Sequence, residues 1–243
     1  MPDLKPLLHT CVSPALLNLY DAAQATVVII DVLRATSTMA TALFNGARYI
    51  IPVDSVAKCI ELGRQINCVT AGERDGKIAE GLLHGNSPFE YSRDFIENKI
   101  LVLTTTNGTR LLHMALEKGA REIVAGSFSN LSAVSNYLAN QKNDVILACA
   151  AWKDRVNIED LLFAGALVER VKDHFSIPCD SSHIAKTLYN KASGDLFGFM
   201  QSNHASHYTR LMDYGLEKDI RYCLQPDQAN VLPIYENGKL QVY

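Results

Sequence analysis

Short apolar runs alternate with longer segments of mixed polarity along most of this chain. Residues 27–32, interrupted only by Asp31, and 49–53, 100–103, 123–125 and 145–150 are apolar stretches of three to six positions bounded by polar or turn-forming residues. They are too short for helices and predict buried strands. Their apolar character is nearly continuous rather than alternating, so both faces of each strand are covered, as in a largely parallel sheet. Between them, residues 38–44, 56–65, 111–118, 131–141 and 158–174 repeat apolar positions at helical spacing, and Gly46 and Gly119 stand where C-terminal glycines end helices. The predicted class is α/β. From residue 176 the strand signal fades, residues 182–191 and 195–214 predict helices, and residues 231–235 and 239–243 flank Glu236-Asn237-Gly238 as a closing hairpin. No Pro/Gly/Ser-rich linker interrupts the chain, so residues 1–243 predict one compact domain, with 176–243 packed on the same body.

A displacement of 73 positions lays the chain on itself. It superposes Gly46-Ala47-Arg48 on Gly119-Ala120-Arg121, Thr36 on Thr109, Ala42 on Ala115, Leu43 on Leu116 and Ile50 on Ile123, seven identities within fifteen positions. The same shift puts strand 27–30 on strand 100–103, so the loops 31–36 and 104–109 become equivalent strand-to-helix connections. The expectation is an internal duplication giving two similar halves, with units of approximately 26–98 and 99–175, and the two loops lining one crevice.

Composition narrows the function class. The 243 residues carry a formal charge of −3, and no Lys/Arg run supplies a local field, which argues against nucleic acid and anionic membranes as partners. The first twenty residues include Pro2, Asp3, Lys5, Pro6 and His9 and lack the apolar core of a signal peptide. No stretch approaches the roughly 18 apolar residues needed to span a bilayer. Six cysteines without a C-x-x-C pair read as reduced thiols. The expected location is cytoplasmic. Subunit number is open, and a homo-oligomer is compatible with the sequence.

Ligand crevices of parallel α/β sheets lie at the carboxyl ends of strands. Five polar segments occupy such places: Asp31-Val32-Leu33-Arg34-Ala35-Thr36-Ser37-Thr38, Gly72-Glu73-Arg74, Gly85-Asn86-Ser87-Pro88, Thr104-Thr105-Thr106-Asn107-Gly108-Thr109, and the stretch from Arg155 to Asp160 that ends in Glu159-Asp160. Together and in this order they resemble the 2-phosphosulfolactate phosphatase family, whose members carry DVLRATST, GER, GNSP and TTTNGT segments and an ED pair opening a helix. The resemblance implies a three-layer α/β/α fold of two similar halves, Mg²⁺-dependent hydrolysis of a small anionic phosphate ester such as 2-phospho-3-sulfolactate, and in some organisms a step toward coenzyme M. The chain departs from the pattern at Gly81-Leu82-Leu83-His84, where the family often has Gly-Phe, and at Ala150-Ala151-Trp152, where a glycine is common.

On this basis Asp31, Glu73, Glu159 and Asp160 are the expected metal or acid–base carboxylates, because Mg²⁺ takes one or two carboxylates together with phosphate oxygens and water. A plainer structural role is open to each. Asp31 could cap a turn, Glu73 and Arg74 could form a surface ion pair, and Glu159 and Asp160 could sit in a helix's first turn behind Asn157. The threonine loop precedes a helix, so Thr105, Thr106, Asn107 and Gly108 bring hydroxyls and free N–H groups to an anion site. Arg34, Arg74 and Arg155 are expected to grip the substrate's charges, joined by Thr36 and, through the resemblance alone, by Asn86 and Ser87.

Two alternatives stay open. A non-catalytic sensor of a phosphorylated or sulfonated metabolite would need the cations but not the carboxylates. Cys149 and Arg155 have the C-x5-R spacing of cysteine phosphatases, although the intervening residues lack glycines for a phosphate cradle. His204 and His207 could meet a metal at i, i+3, but read as exposed residues of a helix.

Overall fold

The computed structural model describes residues 5–243. Strand β2 (Ala25–Ile30) is buried at every position. Val27 and Ile29 face one layer of helices, Val28 and Ile30 the other, which is why its sequence is apolar without alternation. Helix α1 (Ala35–Phe44) follows, then β3 (Tyr49–Pro52), α2 (Val56–Gln65), β4 (Val69–Arg74) and the short β5 (Lys77–Ile78). After α3 (Arg93–Ile96) the same succession recurs as β6 (Ile100–Thr104), α4 (Gly108–Glu117), β7 (Glu122–Gly126), α5 (Leu131–Ala139) and β8 (Asp144–Cys149). Each strand and helix of the first run except β5 thus has a counterpart about 73 positions on, and α1 and α4 correspond residue for residue. Both helices end at a glycine in the left-handed region, Gly46 with φ 97° and Gly119 with φ 68°, where a side chain would be strained.

Including β1 (Leu8–Cys11) and the C-terminal β9 (Pro233–Glu236) and β10 (Lys239–Val242), the strands form one ten-stranded sheet. Its order is β1-β8-β2-β7-β9-β10-β3-β6-β4-β5. Pairing is parallel within β1-β8-β2-β7 and within β3-β6-β4. The sheet is therefore largely parallel, but in two halves. The C-terminal hairpin is the seam between them, pairing antiparallel with β7 through Val124↔Ile234 and with β3 through Leu240↔Ile50. The expected closing hairpin exists, but it sits inside the sheet, because its apolar positions complete the rows that β7 and β3 leave open.

Helices cover both faces. α1 and α4 pack with Val27, Ile29, Ile123 and Ile146 on one side, while α5, α6 (Ile158–Val171) and the C-terminal helices pack with Val28, Val124 and Leu147 on the other. A smaller cluster places Cys59 of α2 against Val102 of β6. The arrangement is a three-layer α/β/α fold. The predicted helix over 195–214 is two helices, α8 (Leu196–Ser202) and α9 (Ser206–Asp213), after α7 (Asp180–Ala192) and before α10 (Glu217–Cys223). All six cysteines are free, and among the described residues no helix is long and apolar enough to cross a membrane.

Candidate active site

The loops after β2 and β6 are closed by similar hydrogen bonds. Thr36 donates its hydroxyl to the Asp31 carbonyl at 2.9 Å and accepts the Asp31 N–H at 3.1 Å. Thr109 donates to the Thr105 carbonyl at 2.9 Å and accepts the Thr105 N–H at 3.0 Å, while its own N–H donates to the Thr105 hydroxyl at 3.1 Å. The hydroxyls of Thr36 and Thr105 are therefore spent on loop geometry. The two loops meet. A Cβ on Gly108 would lie 2.8 Å from Asp31 Oδ2 and 2.7 Å from the Ala35 Cβ, so only glycine lets the start of α4 approach the Asp31 carboxylate this closely.

Between the loops lies a pocket of about 20 Å³, room for an ion or a water or so at its floor. Asp31, Leu33 and Arg34 form one wall and Thr106 and Asn107 another. Glu73, Asp75 and Gly76 enter from the β4–β5 turn, Asn86 from the turn before α3, Trp152 from the segment after β8, and His207, Arg210 and Leu211 from α9. The shared crevice expected from the repeat is thus present.

The four expected carboxylates lie near one another, but only Asp31 and Glu73 line the pocket. Asp31 alone is buried with its carboxylate at the pocket; burial, with the nearby Glu73 and Glu159 charges, raises it to about 6 against the opposing pull of His207. Half-buried Glu73 lines the pocket but accepts the Thr106 N–H at 2.8 Å and the Gly76 N–H at 3.0 Å, tying two loops together. Asp160 accepts the Val32 N–H at 2.9 Å and the Ala151 N–H at 3.2 Å. It is a clamp between the β2 and β8 ends rather than a pocket residue, and burial holds its carboxyl well above the ordinary range. Glu159, 1% exposed, bonds His207 Nδ1 at 2.5 Å and leaves Oε2 buried without a partner. Among the described residues no group of three or more His, Cys, Asp or Glu side chains is placed to hold a metal ion, because the Asp160 carboxylate and the nearer Glu159 oxygen are engaged elsewhere. The oxygens that line the pocket are hard: Asp31, Glu73, each of whose oxygens also accepts a backbone N–H, and the partnerless Asn86 Oδ1 and Thr106 Oγ1. Such a set fits Mg²⁺, which completes its shell with phosphate oxygens and water.

The expected arginines are largely committed. Arg34 pairs with buried Asp219 of α10. Arg74 points to the other side of β4, donating to the Glu73 carbonyl at 2.6 Å and to Thr104 Oγ1 at 3.0 Å, in a separate cleft of about 340 Å³ beside Arg110 and His113. Arg155 is exposed and outside the pocket; its backbone pairs with Trp152 across a two-residue turn at Lys153 and Asp154, which have φ of 52° and 59°. Ser87 caps its own short turn, accepting the Phe89 N–H at 3.3 Å, and lies in a neighbouring cleft.

Two residues of α9 join the site against expectation. His207, expected at the surface, is buried and lines the pocket. Arg210, absent from the expected set, lines it too, with its guanidinium 4.1 Å above the Trp152 ring. The signal for both is an HxxHxxR register at helical spacing, His204, His207 and Arg210, which lacks a strand end to mark it. Cys149 is buried, and burial, followed by the Asp160 charge, raises its thiol well above the ordinary value. It is a poor thiolate, and the turn after it forms no phosphate cradle.

Sequence comparison agrees with this geometry. A sequence model for the family described as 2-phosphosulpholactate phosphatase matches residues 11–238. A Thermotoga maritima protein named "Probable 2-phosphosulfolactate phosphatase" is 40% identical over 213 residues, covering 88% of this chain and 90% of its own. One of the same name from Caldanaerobacter subterraneus is 36% identical over 226 residues, covering 91% and 92%. With segments of the family pattern gathered at one pocket and a match over nearly its whole length, the chain belongs to the 2-phosphosulfolactate phosphatase family of phosphoric monoester hydrolases.

Proposed function

We propose that this enzyme hydrolyses 2-phospho-3-sulfolactate, or a closely related 2-phospho-hydroxy acid, to the 2-hydroxy acid and inorganic phosphate with the aid of Mg²⁺. The observation that carries this is the contact of Asp31 with the start of α4, where a glycine is required for the approach. It brings a carboxylate and a helix N-terminus to one point, and a phosphoryl group is the ligand that uses both.

The phosphate sits at Thr106, Asn107 and the first N–H groups of α4, where the helix dipole favours negative charge. Magnesium, held by Asp31 and Glu73 with the Asn86 and Thr106 oxygens nearby, would neutralise phosphoryl oxygens and acidify the attacking water. The Asp31 carboxylate, at the start of α4, orients the attacking water. His207 has Nδ1 fixed by Glu159, which leaves Nε2 to give a proton to the departing alkoxide. Glu159 stabilises the imidazolium before that transfer. Cys149 takes no part. The free thiols suit a reducing compartment such as the cytoplasm, and the recurring succession of elements is read as an old duplication.

A panel of 2-phospho-3-sulfolactate, 2-phospholactate and simple alkyl phosphates, assayed with Mg²⁺ and with EDTA, tests the proposal. Turnover of the 2-phospho acids with Mg²⁺, its loss in EDTA and full activity of Cys149→Ser are expected. Activity indifferent to chelation, or abolished in a folded Cys149→Ser protein, would remove the metal–carboxylate mechanism.

A further inference from the structure

The proposed substrate carries acid groups besides its phosphate, and the pocket wall is itself acidic, with Asp31, Glu73 and Asp75 facing it. Binding such a molecule demands a cation not already neutralised. Arg34 is paired with Asp219, Arg74 is bonded on the far side of β4, and Arg155 is exposed away from the pocket. Arg210 is different. Its Nε is buried with no hydrogen-bond partner, and among the described residues its guanidinium forms no ion pair.

Its placement is fixed all the same. The guanidinium lies over the indole of Trp152 at 4.1 Å, and Trp152 is held by backbone bonds of 3.0 Å in both directions with Arg155 across the Lys153–Asp154 turn. Stacking occupies a face of the guanidinium and leaves its in-plane N–H groups without a protein partner among the described residues, and such groups can receive a carboxylate or sulfonate through two parallel bonds. Arg210 also stands one helical turn after His207 on α9, on the wall formed by α9 and Trp152, whereas the phosphate end belongs to Asp31 and the start of α4.

We infer that Arg210, pre-oriented by Trp152, is the receptor for the non-phosphate acid group of the substrate and sets the enzyme's selectivity for 2-phospho acids over simple alkyl phosphates. The inference rests on the proposed substrate class. It assigns a specificity role to Arg210 and a positioning role to Trp152.

The test uses the full chain with three esters: 2-phospho-3-sulfolactate, 2-phospholactate, which lacks the sulfonate, and isopropyl phosphate, which lacks both acid groups. Arg210→Ala should lower kcat/KM about 10- to 100-fold where the gripped group is present, mainly through KM, and leave isopropyl phosphate within about threefold. Loss on the first ester alone identifies a sulfonate receptor; loss on the first two identifies a carboxylate receptor. Trp152→Ala should shift selectivity in the same direction by less, and Trp152→Phe should retain most of it. Equal loss on all three esters, or no loss on any, overturns the inference. Calorimetric titration of 3-sulfolactate into wild type and Arg210→Ala supplies a readout independent of turnover, with Kd expected to weaken at least about tenfold. An unchanged Kd, or no binding to wild type, also overturns it. Failure of the wild type to hydrolyse any of the esters would refute the proposed function instead, and the titration would still decide the role of Arg210. Circular dichroism and Arg210→Lys separate loss of the contact from loss of the fold.

Discussion

The loop after β2 and the loop after β6 share a threonine lock and differ in chemistry. In both, a helix-initiating threonine donates to the carbonyl at the start of the loop and accepts the N–H of the same residue. The first loop spans Asp31 to Thr36, the second Thr105 to Thr109, one residue shorter, and only the first presents a carboxylate. The second brings a glycine and free N–H groups against that carboxylate. One supplies negative charge and the other an anion site, and each makes sense only beside the other. A carboxylate at this depth costs the fold, since burial raises Asp31 to about 6 even against the pull of His207.

The sharpest way to break this comparison is to remove its asymmetry. Asp31→Asn should lower kcat at least about 100-fold, since loss of first-contact charge stabilisation is worth several kcal/mol. The same change should stabilise the metal-free protein. Burial raises the Asp31 carboxyl from 3.8 to about 6, so the folded state binds the proton more tightly than the unfolded chain. Ionising Asp31 therefore costs stability progressively from pH near 4 to near 6, and the full cost persists above that. In EDTA, the Tm of Asp31→Asn should exceed wild type at about pH 8 and converge with it below about pH 4. A Tm below wild type at the higher pH would mean that the charge is well solvated or paired.

A smaller effect is expected from pushing the loops apart. Gly108→Ala introduces a methyl 2.7–2.8 Å from Ala35 and Asp31, and a shift of the order of 1 Å at a reacting centre costs up to about 100-fold in rate. A fall in kcat/KM of about 10- to 100-fold with a modest Tm loss is expected; wild-type kinetics would show that the loops need not touch.

The smallest effects test what the loops have in common. Thr36→Val and Thr109→Val each remove a buried hydroxyl that both donates and accepts, so each should cost about 1–3 kcal/mol in urea unfolding. Similar losses would confirm that the lock is structural in both. If Thr36→Val also loses far more activity than its stability explains, the first lock is aiming Asp31.

Most of the local architecture is legible in the sequence. The strands at β2, β3, β6, β7 and β8 and the helices between them follow from apolar runs and helical spacing, and the terminal glycines of α1 and α4 fall where helix ends require them. Strand β1 escapes the pattern because Leu8-His9-Thr10-Cys11 is short and mixed, and β4 because it ends in Gly72-Glu73-Arg74 and reads as a loop. At the site, Asp31 and the threonine loop stand out because a polar cluster directly after a buried apolar strand is costly to place there unless it meets a ligand or caps a turn.

What the sequence could not decide is which polar atom each side chain spends, and on whom. Asp160 reaches Val32 across 128 positions, and Glu159 meets His207 across 48. Those partners turn two expected metal carboxylates into a clamp and a histidine support. Residues 233–242 declare a hairpin through their own turn and pattern, but its place at the seam of the sheet depends on rows left open by β7 and β3. Backbone periodicity is local, set by sterics and burial within a few residues, and so the sequence by itself determined the elements and the loops that could carry chemistry. Hydrogen-bond partnership and the freedom of Arg210 to meet a ligand are settled only when distant segments compete for the same buried space, and that the tertiary structure alone decided.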